Sequence, residues 1–268
     1  MTLPCCVTLL TDFGLQDEYV GVMKGVILSL ASNAQIVDLC HQVAPQDVRG
    51  GALLLAGAYR FFPPGTVHVA VVDPGVGGQR RIVCLRAGGF LFLAPDNGLL
   101  TPILTQHPDQ VAAWSVENPA YFLQEVSATF HGRDIFAPVA GRLCQGLDPA
   151  CLGPQIAPGD LAQLPLPRPR VTSRGIVGQV VHVDRFGNLA TNITADLLRQ
   201  GLAGAPSLTV RLGDTAISGI ATSYHQVPIG QPLALIASRG TLEIAVREGS
   251  AAARFQAGVG AEVRVQRR

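Results

Sequence analysis

The chain has 268 residues, of which 48% are apolar and only 15% charged, and its mean hydropathy is +0.31. That length suits one large domain or two modest ones, and so apolar a chain needs large cores or surface hidden in an oligomer. A net charge of +1 argues against a nucleic-acid partner, and no apolar run approaches the roughly 20 residues of a membrane-spanning helix, so the chain reads as soluble and cytoplasmic, with no membrane partner.

From Pro4 the chain runs straight into an apolar strand, Cys5 to Leu10, with no charged leader and so no secretory signal. A helix from about Gln16 to Ser32 and a strand from Gln35 to Leu39 follow. A second helix, about Gln46 to Phe62, ends at Pro63-Pro64-Gly65, and the next strand runs to Asp73. This βαβαβ alternation predicts α/β architecture: a mostly parallel central sheet with helices on both faces and ligands at the C-terminal strand ends. The acidic residues obey that rule, with Asp12 and Asp17 after the first strand, His41 and Asp47 after the second, and Asp73 after the third. Strands Ile82 to Arg86 and Phe90 to Ala94 turn at Gly88-Gly89, and Asp96-Asn97-Gly98 opens another helix. Between Gly153 and Arg170, Pro154, Pro158, Pro165, Pro167 and Pro169 are too many for a regular element. The division is an N-terminal α/β domain over 1–160, a proline-rich linker over 161–172, and a smaller C-terminal domain over 173–268.

In the last domain, strand-like runs recur at Ile176 to Val183, Leu189 to Ile193, Ser207 to Leu212, Leu233 to Ala237, Leu242 to Val246 and Ala261 to Val265, with one brief helix near Ala195 to Gln200. That pattern predicts an antiparallel β domain, barrel or sandwich. Charge is uneven: residues 1–163 hold 8 Lys+Arg against 13 Asp+Glu, net −5, and 164–268 hold 12 against 6, net +6. Opposite-sign halves attract, within one chain or between copies; an evenly solvated surface is the alternative. The six cysteines, Cys5, Cys6, Cys40, Cys84, Cys144 and Cys151, form no CxxC pair and read as reduced core residues.

The stretch Thr66 to Arg81, TVHVAVVDPGVGGQRR, is the sharpest polar feature. Apolar and β-branched residues carry the backbone to Asp73, where Pro74, Gly75, Gly77 and Gly78 forbid strand or helix, so the carboxylate is presented at a strand end with Arg80 and Arg81 just beyond. The residues alone allow a site or a structural ion pair. Four further constellations are Thr11-Asp12-Phe13-Gly14 with Asp17, Asp96-Asn97-Gly98, Thr129-Phe130-His131-Gly132-Arg133-Asp134, and Asp184-Arg185-Phe186-Gly187-Asn188 with Ser238-Arg239-Gly240. No metal-ligand spacing emerges, the glycine loop lacks the Lys-Ser/Thr of a phosphate loop, and no GxSxG elbow is present.

Taken together and in this order, from Leu9 to about Gly249, these motifs resemble the S-adenosyl-L-methionine hydroxide adenosyltransferase family, relatives of fluorinating and chlorinating enzymes. The resemblance implies an N-terminal α/β domain, a C-terminal β-barrel, and a homotrimer whose sites lie at subunit interfaces, between the first domain of one subunit and the second domain of the next. It implies S-adenosyl-L-methionine as substrate, with no cofactor and no metal. Asp73, Arg80 and His131 match the Asp, Arg and His that hold water in hydrolytic members; halogenating relatives carry Tyr at the Asp73 position, differ at His131, and have a long insertion where Gly88-Gly89 here turns tightly. Asp12 matches the residue that accepts both ribose hydroxyls. Asp17, Asp184, Ser238 and Arg239 match positions at the methionine end, Phe186 and Tyr224 surround adenine, and Asn188 hydrogen-bonds it. Thr129, Phe130, Gln46 and Glu248 complete the substrate-binding set, with Gln46 standing where halogenating relatives have Trp and Val246 where they have Arg.

The physical logic stands beside the resemblance and starts from the substrate it implies. A sulfonium leaves as a neutral thioether without a general acid, so the site must supply an aligned nucleophile behind the 5′ carbon. Asp73 and His131 are suited to orient and deprotonate water, help worth about 10² to 10⁴ in rate. Arg80 keeps Asp73 ionised and stabilises developing hydroxide. The expected reaction is hydrolysis of S-adenosyl-L-methionine to adenosine and L-methionine. The alternatives are a chlorinase-like halogenase, a metal-dependent phosphohydrolase and a non-catalytic nucleoside-binding protein. Residue by residue, His131 as a packed core histidine, Asp12 or better Asp17 as a helix N-cap, and Phe186 or Tyr224 as ordinary core rings also stay open.

Overall fold

In the computed structural model, residues 5–202 and 207–267 are described. The run-in from Pro4 and the final residue of the C-terminal domain lie outside them. The chain divides into two units, Met1–Leu164 and Pro165–Arg268.

In the first unit, β1 (Cys6–Thr11) is buried from Val7 onward and β3 (Val67–Val71) throughout, as continuous apolar strands covered on both faces should be. Helix α1 (Tyr19–Leu30) buries Val20, Met23 and Ile27, one helical stripe. β2 (Gln35–Cys40) follows, then α2 (Val48–Ala58), whose N-terminus is capped by Asp47 accepting from the Gly50 N–H at 2.9 Å. β4 (Ile82–Ala87), β5 (Phe90–Pro95), α3 (Thr101–Gln106), β6 (Val111–Ser115), α4 (Ala137–Cys144) and β7 (Gln155–Ile156) complete the unit.

The 7-stranded sheet runs β2-β1-β3-β5-β4-β6-β7. β2, β1, β3 and β5 are parallel; β5–β4, β4–β6 and β6–β7 are antiparallel. The sheet is therefore mixed, because the hairpin at Gly88 and Gly89, both at positive φ, reverses the chain where a crossover helix would have kept it parallel. Alternation along β1 feeds two cores: Val7 and Leu9 pack with Met23, Ile27 and Phe136 on one face, and Leu10 packs with Leu55, Tyr59 and Phe92 on the other.

Part of the proline-rich stretch folds onto this unit, since Gln155 and Ile156 pair with β6 and Leu161 is buried. One expectation is corrected. Cys5 and Cys144 are joined as a disulfide across a sequence separation of 139, while Cys6, Cys40, Cys84 and Cys151 are free. Packing of α4 and β1 into one core brings the pair together, which chain spacing could not reveal.

The second unit comprises β8 (Arg170–Thr172), β9 (Gly175–Val183), β10 (Leu189–Thr194), α5 (Ala195–Gly201), β11 (Leu208–Leu212), β12 (Thr215–Ser218), β13 (Pro232–Ile236), β14 (Thr241–Val246), α6 (Ala251–Phe255) and β15 (Glu262–Arg267). Its 8-stranded antiparallel sheet runs β12-β11-β15-β9-β10-β14-β13 with β8 on β9, a nearly closed, barrel-like sheet. The short helix α6 is an addition to the single one expected. Among the described residues no helix is long and apolar enough to cross a membrane.

Candidate active site

Asp73 lies two residues past β3, held there by Asn97, whose side-chain amide donates to the Val72 carbonyl at 2.9 Å. The turn that follows requires glycine at 77: its φ is +74°, and a Cβ there would collide with the Ala128 carbonyl. Arg80 then folds back. Its Nε donates to both Asp73 oxygens at 3.1 and 2.9 Å, its Nη2 donates to Oδ2 at 2.5 Å, and the same Nη2 donates to His131 Nδ1 at 2.8 Å. The side chains of Arg80 and Asp73 are 12% and 4% exposed. Arg81 points elsewhere, to Asp96 and the Asp160 carbonyl.

A guanidinium has no acceptor, so His131 Nδ1 accepts and the neutral ring carries its proton on Nε2. Burial and then the charge of Arg80 lower the His131 pKa, keeping the ring neutral. His131 sits at the head of a π-turn, Gly132–Phe136, that runs into α4. Just inside, the fully buried Asp134 accepts from the Ser127 N–H at 2.8 Å, and Ser127 Oγ accepts from the N–H groups of Thr129 and Phe130. The loop before His131 is thus tied from within. His131 itself is half-buried, with Nδ1 turned to Arg80.

Asp12 follows β1, and its Oδ2 accepts from the backbone N–H of Gln46 at 2.8 Å. Gln46 holds a φ of +66°, so this contact is made through strained backbone and leaves its side chain uncommitted. The first helix has Glu18 at its N-cap with no side-chain cap bond, which removes the capping role for both Asp12 and Asp17. Behind the turn, Thr11 Oγ1 accepts from the Phe13 N–H at 3.2 Å and lies 2.9 Å from His41 Nδ1. His41 Nε2 is 3.0 Å from Asp38, an ion-pair distance without hydrogen-bond alignment.

A cavity of about 270 Å³ is lined by Asp12, Phe13, Tyr19, Val71, Asp73, Val76, Thr129, Phe130, His131 and Gly132. Of the expected residues of this unit, Arg80 adjoins it through its bonds, Gln46 through Asp12, and the exposed Asp17 does not line it. Tyr19 escaped sequence reasoning. Its ring stands 41% exposed at the start of α1.

In the second unit a cavity of about 820 Å³ is lined by all seven residues singled out there, Asp184, Phe186, Asn188, Tyr224, Ser238, Arg239 and Glu248, together with His182, Glu243 and Arg247. Asp184 shapes its own turn: Oδ1 accepts from the N–H groups of Phe186 and Asn188 and Oδ2 from the Asn188 amide. Phe186 is 77% exposed, so it is no core ring. The Tyr224 hydroxyl donates to Glu243 at 2.7 Å. Burial, and next the bond to Glu243, push Tyr224 up to about 12, and burial raises the Glu243 carboxyl as well. Glu243, inside the strand TLEIAV, was also missed; it lies on the face opposite the core residues Leu242, Ile244 and Val246, and a lone acid in an apolar strand was its signal. Among the described residues no group of three or more His, Cys, Asp and Glu is arranged to hold a metal ion.

A hydrogen-bonded Asp–Arg–His set beside a small cavity at parallel strand ends, with a separate antiparallel unit carrying a larger cavity lined by charged side chains and aromatic rings, is the layout of an enzyme for a small substrate with both polar and apolar parts. Residues 7–153 match the model of the SAM hydroxide adenosyltransferase N-terminal domain and residues 178–264 that of its C-terminal domain, and the chain belongs to this family. It is 40% identical over 260 residues to an (R)-S-adenosyl-L-methionine hydrolase of Salinispora arenicola, covering 95% of each chain. A fluorinase of Nocardia brasiliensis is more distant, at 28% identity over 97% of this chain and 96% of its own. The crystal structure of an uncharacterized conserved protein from Thermotoga maritima superposes with a TM-score of 0.91 at 36% identity, covering 97% of this chain and 100% of that one.

Proposed function

We propose that the protein hydrolyses S-adenosyl-L-methionine to adenosine and L-methionine. The observation that carries this reading is the unbroken Asp73–Arg80–His131 set on one wall of the N-terminal cavity. The oxygen of a water attacks C5′, the C5′–S bond breaks with its electron pair going to sulfur, and methionine leaves as a neutral thioether. Asp73 accepts the proton lost by the water, using lone pairs that Arg80 leaves free. His131, protonated on Nε2, donates to the water oxygen and fixes its position, and Arg80 locks both partners in place. A carboxylate also repels a halide from the place where water binds, which favours hydrolysis over halogenation.

Asp12 is suited to both ribose hydroxyls, Thr129 and Phe130 to the cavity wall beside them, and Gln46 to holding Asp12. Phe186 and Tyr224 present rings for adenine and Asn188 its amide, while Asp17, Asp184, Ser238, Arg239 and Glu248 form the methionine end. The assembly we propose is a homotrimer in which the N-terminal cavity of one subunit meets the C-terminal cavity of the next; the opposite-sign halves of the sequence support it. No cofactor takes part. Incubation in ¹⁸O-water tests the chemistry, with label expected at the 5′ oxygen of adenosine and the rate unchanged by chelator. Unlabelled or halogenated product, or loss of activity on chelation, overturns it, and light scattering checks the trimer.

A further inference from the structure

Three rings stand together at the N-terminal cavity, and of these only Phe130 has been given a part, as wall beside the ribose. Phe13 and Tyr19 have centroids 5.9 Å apart at 62°, Phe13 and Phe130 5.9 Å at 75°, and Tyr19 and Phe130 5.0 Å at 83°. Three rings so nearly perpendicular make a corner rather than a stack. All three line the cavity that also holds Asp12 and Asp73. Gly132 keeps the corner closed, since a Cβ there would lie 3.1 Å from the Phe130 ring and 3.3 Å from that of Phe13. Tyr19 is not needed for the core of its helix, which is packed by Val20, Met23 and Ile27.

Ring faces carry negative potential, and several of them beside carboxylates select a bulky, weakly hydrated cation over a neutral group of the same shape. The substrate of the proposed reaction carries such a charge on sulfur, and its thioether product, methionine, lacks it. We infer that the Phe13–Tyr19–Phe130 corner recognises the sulfonium cation, with Tyr19 setting the preference for charged substrate over neutral thioether. This rests on the proposed hydrolysis. Arg133, itself paired to Asp134, lies over Phe130 at 5.3 Å from its centroid, so that ring already serves one cation and the discrimination falls mainly to Phe13 and Tyr19. A site of this kind releases methionine readily and resists inhibition by S-adenosylhomocysteine.

The test is calorimetric binding of S-adenosyl-L-methionine and of S-adenosylhomocysteine to the full chain, in an Asp73→Asn background that prevents turnover. Tyr19→Leu keeps an apolar wall without a π face and is expected to weaken binding of the sulfonium about 5- to 30-fold while leaving the thioether within about twofold. Tyr19→Phe is expected to keep the ratio. Phe13→Leu, with its melting temperature measured, repeats the test if Tyr19→Leu is unstable. Equal loss for both ligands, or no loss for either, overturns the inference. If the unsubstituted protein binds neither ligand and forms no adenosine, the hydrolytic reading itself fails.

Discussion

Replacing Arg80 by Met removes three hydrogen bonds to Asp73 and one to His131 and leaves a carboxylate that is 4% exposed without its cation. Removing one partner of a buried pair costs about 3 to 5 kcal/mol. For a unit of this size that is a fall in melting temperature of roughly 6 to 20 °C. Turnover at a temperature where the variant is folded should drop about 10²- to 10⁴-fold, because water loses both its oriented base and the fixed charge. A third effect is specific to this geometry. After burial, Arg80 is the next cause holding the His131 pKa below its ordinary value, and the guanidinium donates to the very nitrogen that protonation would fill. His131 works as the neutral ring, so activity falls as pH drops through its pKa; without Arg80 that pKa rises, and the acid limb of the kcat profile moves to higher pH. Arg80→Lys, which keeps the charge but not the fork, should fall between. Adenosine release followed by chromatography between about pH 5 and 8 reads all of this. A folded Arg80→Met protein with unchanged kcat and an unmoved acid limb would refute the site.

Two further predictions concern stability. His68 is fully buried among Tyr59, Phe62, Phe90 and Phe92, bonded through Nδ1 to Thr8, and burial lowers its pKa to about 4. With the folded value below the unfolded one of about 6.5, the stability it supports above that pH is lost as pH falls toward 4, by about 3 kcal/mol. Urea titrations at the two ends of that window should show this for the native chain and a flatter dependence for His68→Leu; identical slopes would contradict the assignment. Thiol titration of denatured, unreduced protein should count four cysteines, and reduction of Cys5–Cys144, which closes a separation of 139 residues, should cost about 5 kcal/mol. A count of six would exclude the disulfide.

Features written locally were legible in the sequence. The strand into Asp73 and its glycine turn lie within one short stretch, as do Gly88-Gly89 and the turn after Asp184, so period and punctuation sufficed to place them. Non-local features were not. Nothing near His131 marks it as the partner of Arg80, 51 positions away; resemblance supplied it and geometry gave it a bond. Capping shows both sides of the matter. Asp47, read as a strand-end acid, caps α2, whereas α1 begins later than its apolar pattern suggests and takes no side-chain cap at all. Glu243, Tyr19 and the Cys5–Cys144 link depend on which residues packing brings opposite one another, and no spacing along the chain encodes that.

The pairing of β1 with β3 runs in unbroken register from Val7 opposite Val67 to Thr11 opposite Val71. It acts as a ruler for the two acids that follow, since Asp12 and Asp73 are spaced by backbone alone. One residue inserted into either strand would advance its acid by about 3.3 Å and turn it to the opposite face of the sheet. An insertion in the connections behind these strands would leave that spacing intact, whereas one within them would separate the two acids.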